Sequence, residues 1–227
     1  MSKIKILGLI PARGGSKGLP KKNLYLFNKK PLIQWTIESA LESNSLDRII
    51  VNTDDESIAD FSRSKGVEVP FLREPHLAQD DSRIVDAVLN VLEKIINFDF
   101  ILLLQPTSPL RTKEDITNII KLQKQYNASS LVSVCEAKEN PALFYEINND
   151  NYLSKSFKQY KGSNRQEYKR NYIINGALYF SSVENLKKNK SFITNKTIPY
   201  VMPRERSIDI DDITDIRWGE FIQKYKN

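Results

Sequence analysis

Apolar runs of strand length alternate with stretches of helical periodicity from residue 5 to about residue 136, and this alternation leaves few folds open to the chain. Lys5 to Pro11 is a short apolar run bounded by a glycine-rich loop, as expected of a strand buried on both faces of a parallel sheet. Ile33, Ile37, Ala40 and Leu41 then fall on one helical face, and Arg48 to Thr53 reads as a second strand. It ends in Asp54-Asp55-Glu56, an acidic cluster placed to cap a helix over Ser57 to Lys65. Val67 to Leu72 reads as a short strand interrupted by Pro70. Ile84, Val88, Val91, Leu92 and Ile95 mark the next helix, and Phe98 to Leu104 is the strongest strand of the chain. Ile116, Ile119 and Ile120 give a further helix and Ser130 to Cys135 a further strand. The pattern predicts an α/β fold, a doubly wound and mostly parallel sheet with helices on both faces, whose ligands sit at the carboxyl ends of the strands.

Between residues 137 and 172 the alternation stops. Asn140-Pro141, Asn148-Asn149-Asp150 and a basic, aromatic stretch predict a protruding insert of hairpins. The sheet pattern resumes with Tyr172 to Phe180 and Ile198 to Met202, and a last helix carries Trp218, Phe221, Ile222 and Tyr225 on one face. The formal charge of +6 is concentrated in the insert: Asn151 to Tyr172 has six Lys/Arg against Glu167 alone. Five aromatics are interleaved there, a mixture suited to single-stranded nucleic acid or, more commonly, to a solvated arm or an oligomer contact; the second reading is preferred. No uncharged apolar stretch approaches membrane-spanning length, and the N-terminus leads into a strand, so the expectation is a cytoplasmic protein without membrane attachment. One cysteine, Cys135, and one histidine, His76, leave no room for an intrachain disulfide, a cysteine- or histidine-rich metal site, or evident Ser-His-Asp or Cys-His catalysis. Any metal is then expected to be a hard cation held by oxygens.

Three polar segments carry the chemistry. Ile10-Pro-Ala-Arg-Gly-Gly-Ser-Lys-Gly-Leu-Pro-Lys-Lys-Asn23 follows the first strand, with Gly14, Gly15 and Gly18 placed to turn the backbone tightly and present N–H groups. Arg13, Lys17, Lys21 and Lys22 offer four cations to a polyanion. The spacing fits neither a Walker loop nor a dinucleotide fingerprint, and a solvated turn is the competing reading. Gln105-Pro-Thr-Ser-Pro-Leu-Arg111 follows the strongest strand; it reads as a rigid wall for a polyhydroxylated ligand or as a proline-rich helix entry with Thr112 as N-cap. In Ser207-Ile-Asp-Ile-Asp-Asp212 an extended backbone puts Asp209 and Asp211 on one face, with Cα atoms roughly 6.5 Å apart, able to hold Mg²⁺ with phosphate oxygens. Helix capping suits Asp212, and also Asp211, but does not account for Asp209.

Taken with Asn175-Gly-Ala-Leu-Tyr179, these segments resemble, in order and from about residue 4 to about residue 217, the motifs of the acylneuraminate cytidylyltransferases, also called CMP-sialic acid synthetases. The resemblance implies a Rossmann-like, three-layer fold of the nucleotide-diphospho-sugar-transferase type. It implies a cytidylyltransferase domain over 1–136 and 173–227 and an inserted dimerisation arm over 137–172, hence a homodimer without nucleic acid. It also implies transfer of CMP from CTP to a nine-carbon 2-keto sugar acid, with release of pyrophosphate and Mg²⁺ as cofactor. By motif position Ala12, Arg13, Gly14, Ser16, Lys22 and Asn23 would meet CTP, with Arg73 and Ser82 completing that pocket. Gln105, and with it Arg165, Asn175 and Tyr179, would face the sugar acid, and Asp209 with Asp211 would hold Mg²⁺. Arg13, Lys22, Asp209 and Asp211 would then assist in-line attack of the anomeric hydroxyl on the α-phosphorus. Pro141-Ala-Leu-Phe-Tyr145 departs from the basic residue that follows the proline in relatives using ordinary sialic acid, which suits a legionaminic or pseudaminic acid. An eight-carbon acid, Kdo, is the alternative acceptor.

Overall fold

The computed structural model describes residues 4–16, 18–157 and 170–225. In chain order the elements are β1 (Ile6–Pro11), β2 (Leu26–Phe27), β3 (Lys30–Pro31), α1 (Leu32–Glu42), β4 (Arg48–Asn52), α2 (Glu56–Ser64), α3 (Ile84–Lys94), β5 (Phe100–Leu104) and α4 (Lys113–Tyr126). They continue with β6 (Ser130–Glu136), β7 (Tyr145–Ile147), β8 (Leu153–Lys155), β9 (Tyr172–Ser182), α5 (Val183–Asn189), β10 (Ile198–Val201) and α6 (Ile213–Lys224). Six strands form one sheet in the order β10-β6-β9-β5-β1-β4. Neighbours run parallel except at β9, which is antiparallel to both β5 and β6.

Strand periodicity divides the core into two layers. Ile6 and Ile10 of β1 and Leu102 and Leu104 of β5 pack on α1, α2 and α4, whereas Leu7, Leu9, Ile101 and Leu103 pack on α3 and α5. The result is the expected three-layer α/β sandwich, with both faces of the central strands dry. Asp55 caps α2 by accepting from the Ile58 N–H, as the acidic cluster suggests. Thr112 with Asp115 and Asp212 with Asp215 form capping boxes at α4 and α6. The segment 67–72 differs from expectation: its ladder reduces to one bridge between Ile50 and Glu68. The last helix keeps its aromatics out of the core. Trp218 stacks on Phe221, and Tyr225 leans against Phe221 at a tilt, all on the outside. Ile222 does not share that face as expected: it packs inward with Ile216, and Gly219 lies so close to the Phe27 ring that a Cβ there would come within 2.8 Å.

A third, smaller cluster of Leu19, Phe27, Leu32, Leu110, Ile210 and Ile216 lies beneath the polar segments. It joins the glycine-rich loop, the Gln105 loop, the Asp209 segment and α6 through buried side chains, so the three polar segments share one foundation.

Candidate active site

The loops after β1 and β5 meet the Asp209 segment at the carboxyl ends of the strands, around a cleft of about 360 Å³. Its lining includes Arg13, Ser16, Lys22, Asn23, Arg73, Ser82, Gln105, Asp209 and Asp211 from the sequence-derived set. Asn23 Nδ2 donates to the Arg13 carbonyl at 2.9 Å and so fixes the curve of the glycine-rich loop. Ser82 Oγ donates to the His76 carbonyl at 2.7 Å. Arg73 is buried and gives Nε and Nη2 to Asn52, at 2.8 and 2.6 Å. Burial lowers its pKa to about 10, with Asp54 raising it and Arg13 lowering it, so the guanidinium is still charged at neutral pH.

Cations and carboxylates face one another across this space. Lys22 Nζ lies 2.9 Å from Asp211 Oδ1, and Arg13 Nη1 lies 2.9 Å from Asp80 Oδ1. The protein around Asp209 pushes its carboxyl pKa up, and the Thr107 hydroxyl opposes this; the charge of Asp211 adds to the rise, that of Lys22 opposes it and that of Asp215 adds again. Ile210 N–H donates to the Thr107 carbonyl at 2.8 Å, which ties the Asp209 segment to the Gln105 loop. Asp209 and Asp211, beside the oxygens of Thr107 and Gln105, are hard donors of the kind Mg²⁺ selects. Among the described residues no third carboxylate, cysteine or histidine completes a cluster of metal-binding side chains, so phosphate oxygens and water would complete the shell.

Other residues of the sequence-derived set face away from the cleft. Ala12 is buried in the core and gives its N–H to Asn52. Gly14 donates its N–H to Asp54 Oδ1 at 2.9 Å, and a Cβ there would meet Asp55 at 2.7 Å. Gly18 is held to glycine by the Asp211 carbonyl, 2.5 Å from an ideal Cβ. These two glycines serve close approach; neither has a positive φ, which falls instead on Lys21. Lys21 is outside the cleft lining, and Lys17 and Arg165 lie outside the described residues. Tyr179 packs on Phe192 in the second core layer, and burial followed by the Asp209 charge raises its pKa. Arg111 is turned inward: it donates to the carbonyls of Gln105 and Ala177 and to Thr36 Oγ1, and burial lowers its pKa to about 10.

Asn175 is buried as well, in a β-bulge where β9 loses register with β6. Its Oδ1 accepts from Ser133 Oγ at 2.6 Å and its Nδ2 donates to Ser207 Oγ at 2.8 Å. Gly176, at φ 76°, then brings its backbone against Gln105 and Asp209, whose oxygens lie 3.0 and 3.2 Å from the ideal Cβ position. Asn175 therefore shapes the site without lining it, and Gly176 is the residue of that pair closest to the polar groups. Sequence reasoning missed Thr107, Gln79 and Asp80 in the lining. Thr107 stood within a flagged segment, whereas Gln79 and Asp80 carry no local signature, being brought in by the path of the loop between residues 73 and 84.

A family model described as cytidylyltransferase matches residues 7–200. The chain is 37% identical over 226 residues to the CMP-N,N'-diacetyllegionaminic acid synthase of Legionella pneumophila, an alignment covering 95% of this chain and 94% of that protein. It is 34% identical over 214 residues to an N-acylneuraminate cytidylyltransferase of Streptococcus agalactiae, covering 93% of this chain and 52% of the relative. The chain thus spans about half the length of that relative. A solved structure of CMP:2-keto-3-deoxy-manno-octonic acid synthetase complexed with CTP has the same fold, with a TM-score of 0.75 at 18% identity over 98% of this chain and 100% of the other. Motif order, cleft position and these matches agree, and the chain belongs to the cytidylyltransferase family.

Proposed function

We propose that this cleft binds CTP and transfers CMP to the anomeric hydroxyl of a nine-carbon 2-keto sugar acid. The observation that carries the reading is one cleft that gathers Arg13, Lys22 and Arg73 with Asp209, Asp211 and Gln105, and in which Lys22 lies 2.9 Å from Asp211. In the proposed reaction the hydroxyl gives its proton to solvent, its oxygen bonds to the α-phosphorus, the bond from that phosphorus to the β-phosphate oxygen breaks, and pyrophosphate leaves with the charge. Arg13 and Lys22 neutralise the triphosphate and the leaving pyrophosphate in a partly enclosed site, where fixed charges act more strongly than in water. Gln105 holds the sugar acid by its amide, which has room beside Gly176 only because that residue lacks a Cβ. Asp209 and Asp211 would hold Mg²⁺, which supplies charge neutralisation and acidifies a hydroxyl bound to it.

The acceptor we favour is a legionaminic or pseudaminic type acid rather than N-acetylneuraminate. Support comes from the apolar Pro141-Ala-Leu-Phe-Tyr145 stretch and from the similarity to the Legionella protein along nearly its whole length. We also propose a homodimer formed through the insert, working in the cytoplasm. Among the described residues no helix is long and apolar enough to cross a membrane. The β7–β8 hairpin has every residue exposed, with Tyr145, Ile147 and Leu153 on one face, and a two-stranded hairpin in water is marginal unless that face is covered.

The test is pyrophosphate release from CTP and Mg²⁺ with N-acetylneuraminate, N,N'-diacetyllegionaminate, pseudaminate and Kdo in parallel. Turnover is expected with a nine-carbon acid and at most weakly with Kdo. Folded protein that turns over none of the four would overturn the proposal, and fastest turnover with Kdo would replace its acceptor.

A further inference from the structure

Arg13, one of the cations that line the cleft, is already engaged by an anion. Its Nη1 lies 2.9 Å from Asp80 Oδ1 and donates to the Gln79 carbonyl at 3.1 Å. Both partners belong to the loop between Arg73 and α3, and both line the cleft. The loop is closed on itself by the Ser82 N–H to the Gln79 carbonyl at 3.2 Å and by Ser82 Oγ to the His76 carbonyl. Asp80 is thereby presented to Arg13 on a self-supporting turn. Lys22 is held in a parallel way by Asp211. The two carboxylates differ in their relation to the ligand, since Asp211 has a metal role open to it in the proposed reading, while Asp80 would meet the triphosphate on Arg13 as a like charge.

We propose that Asp80 occupies the place of a phosphate on Arg13, so that the nucleotide must displace it on entry and pyrophosphate is displaced by it on leaving. The inference rests on the reading of this cleft as the nucleotide site. An internal carboxylate that returns to Arg13 competes with every phosphate there. It weakens the binding of substrate and product alike and assists release of the pyrophosphate, whose contacts lie on the same cations. Part of the pair is open to solvent, with side-chain exposures of 36% and 47%, so the competition is modest.

The experiment measures the dissociation constants of CTP and of inorganic pyrophosphate by calorimetry for the wild type, Asp80→Asn, Asp81→Asn, Arg13→Gln and the Asp80→Asn/Arg13→Gln double variant. Asp81 is the matched control, being the next residue, exposed, of the same charge and outside the cleft lining. Asp80→Asn is expected to bind both ligands about two- to five-fold tighter, as befits a partly exposed pair. Asp81→Asn should bind them as the wild type does, and the Asp80→Asn gain should vanish in the Arg13→Gln background. Equal gains from Asp80→Asn and Asp81→Asn would reduce the effect to net charge and overturn the inference. So would unchanged or weaker binding by Asp80→Asn. If Arg13→Gln alone leaves CTP binding untouched, the assignment of the nucleotide site fails, and the inference falls with it. If Arg13→Gln weakens binding while Asp80→Asn has no effect, only the inference fails.

Discussion

Asp209 is a carboxylate whose surroundings resist its ionisation, chiefly through the protein packed about it and then through Asp211 and Asp215, with Thr107 and Lys22 opposing. A bound cation would relieve both the burial of this carboxylate and the repulsion from its neighbours, and this is the physical basis for the proposal that the pair holds Mg²⁺. Replacing Asp209 by Asn keeps the shape and removes the charge. At saturating Mg²⁺ and both substrates we expect kcat to fall at least about 100-fold, since several kcal/mol of charge stabilisation depend on the metal and each ~1.4 kcal/mol is a tenfold change. A variant with wild-type kcat would remove Asp209 from the metal site. The residues that line the cleft were largely legible as a motif set, but their division of labour was not. Ala12, Gly14 and Asn175 stand in those motifs because buried backbone and amide groups need partners, and spacing along a chain does not separate a residue that touches a ligand from one that holds the loop.

At the scale of elements, the segment bearing Asp209 is anchored by a polar network at the head of α4. Asp115, almost fully buried, accepts from Arg206 at 3.2 and 2.7 Å, from Tyr200 OH at 2.9 Å and from the Thr112 N–H at 2.9 Å. Burial alone would raise the Asp115 pKa, yet the Arg206 bonds and charge with the Thr112 and Tyr200 bonds hold it below the usual carboxylate range. In turn burial and Asp115 push Tyr200 up to about 12. A carboxylate with a depressed folded-state pKa stabilises the fold above its unfolded pKa of about 3.9 and loses that contribution as the pH falls through the folded value. Thermal unfolding should therefore show a drop in Tm below about pH 4 that is smaller in Asp115→Asn. Arg206→Ala should cost roughly 3–5 kcal/mol near neutral pH, because it leaves a buried charge without its partner. A loss under 1 kcal/mol would mean that Thr112 and Tyr200 suffice. Strand and helix order was readable from periodicity, as were the caps of α2 and α4. The direction of β9 was not, because an alternating strand has the same pattern whichever way it runs.

At the scale of the whole molecule, the apolar surfaces that stand open among the described residues include the β7–β8 hairpin and the Trp218/Phe221/Tyr225 stripe of α6. The hairpin is the stronger candidate for pairing two copies. Ile147 and Leu153 sit directly opposite each other and are 72% and 71% exposed, and nothing else in the hairpin offers a core of its own. The aromatic stripe, by contrast, partly covers itself by stacking, and its helix is already anchored through Ile216 and Gly219. Sedimentation should then give a particle of twice the 26.2 kDa chain mass. Ile147→Lys with Leu153→Glu is the informative variant, because opposite charges across the ladder preserve the hairpin while making its outer face costly to bury. This double variant should sediment as a monomer with unchanged far-UV circular dichroism, whereas Phe221→Glu should leave the dimer intact. The reverse outcome, a dimer that survives the hairpin change and dissociates with Phe221→Glu, would move the interface to the C-terminal helix; a wild type that sediments at the mass of one chain would remove the interface altogether.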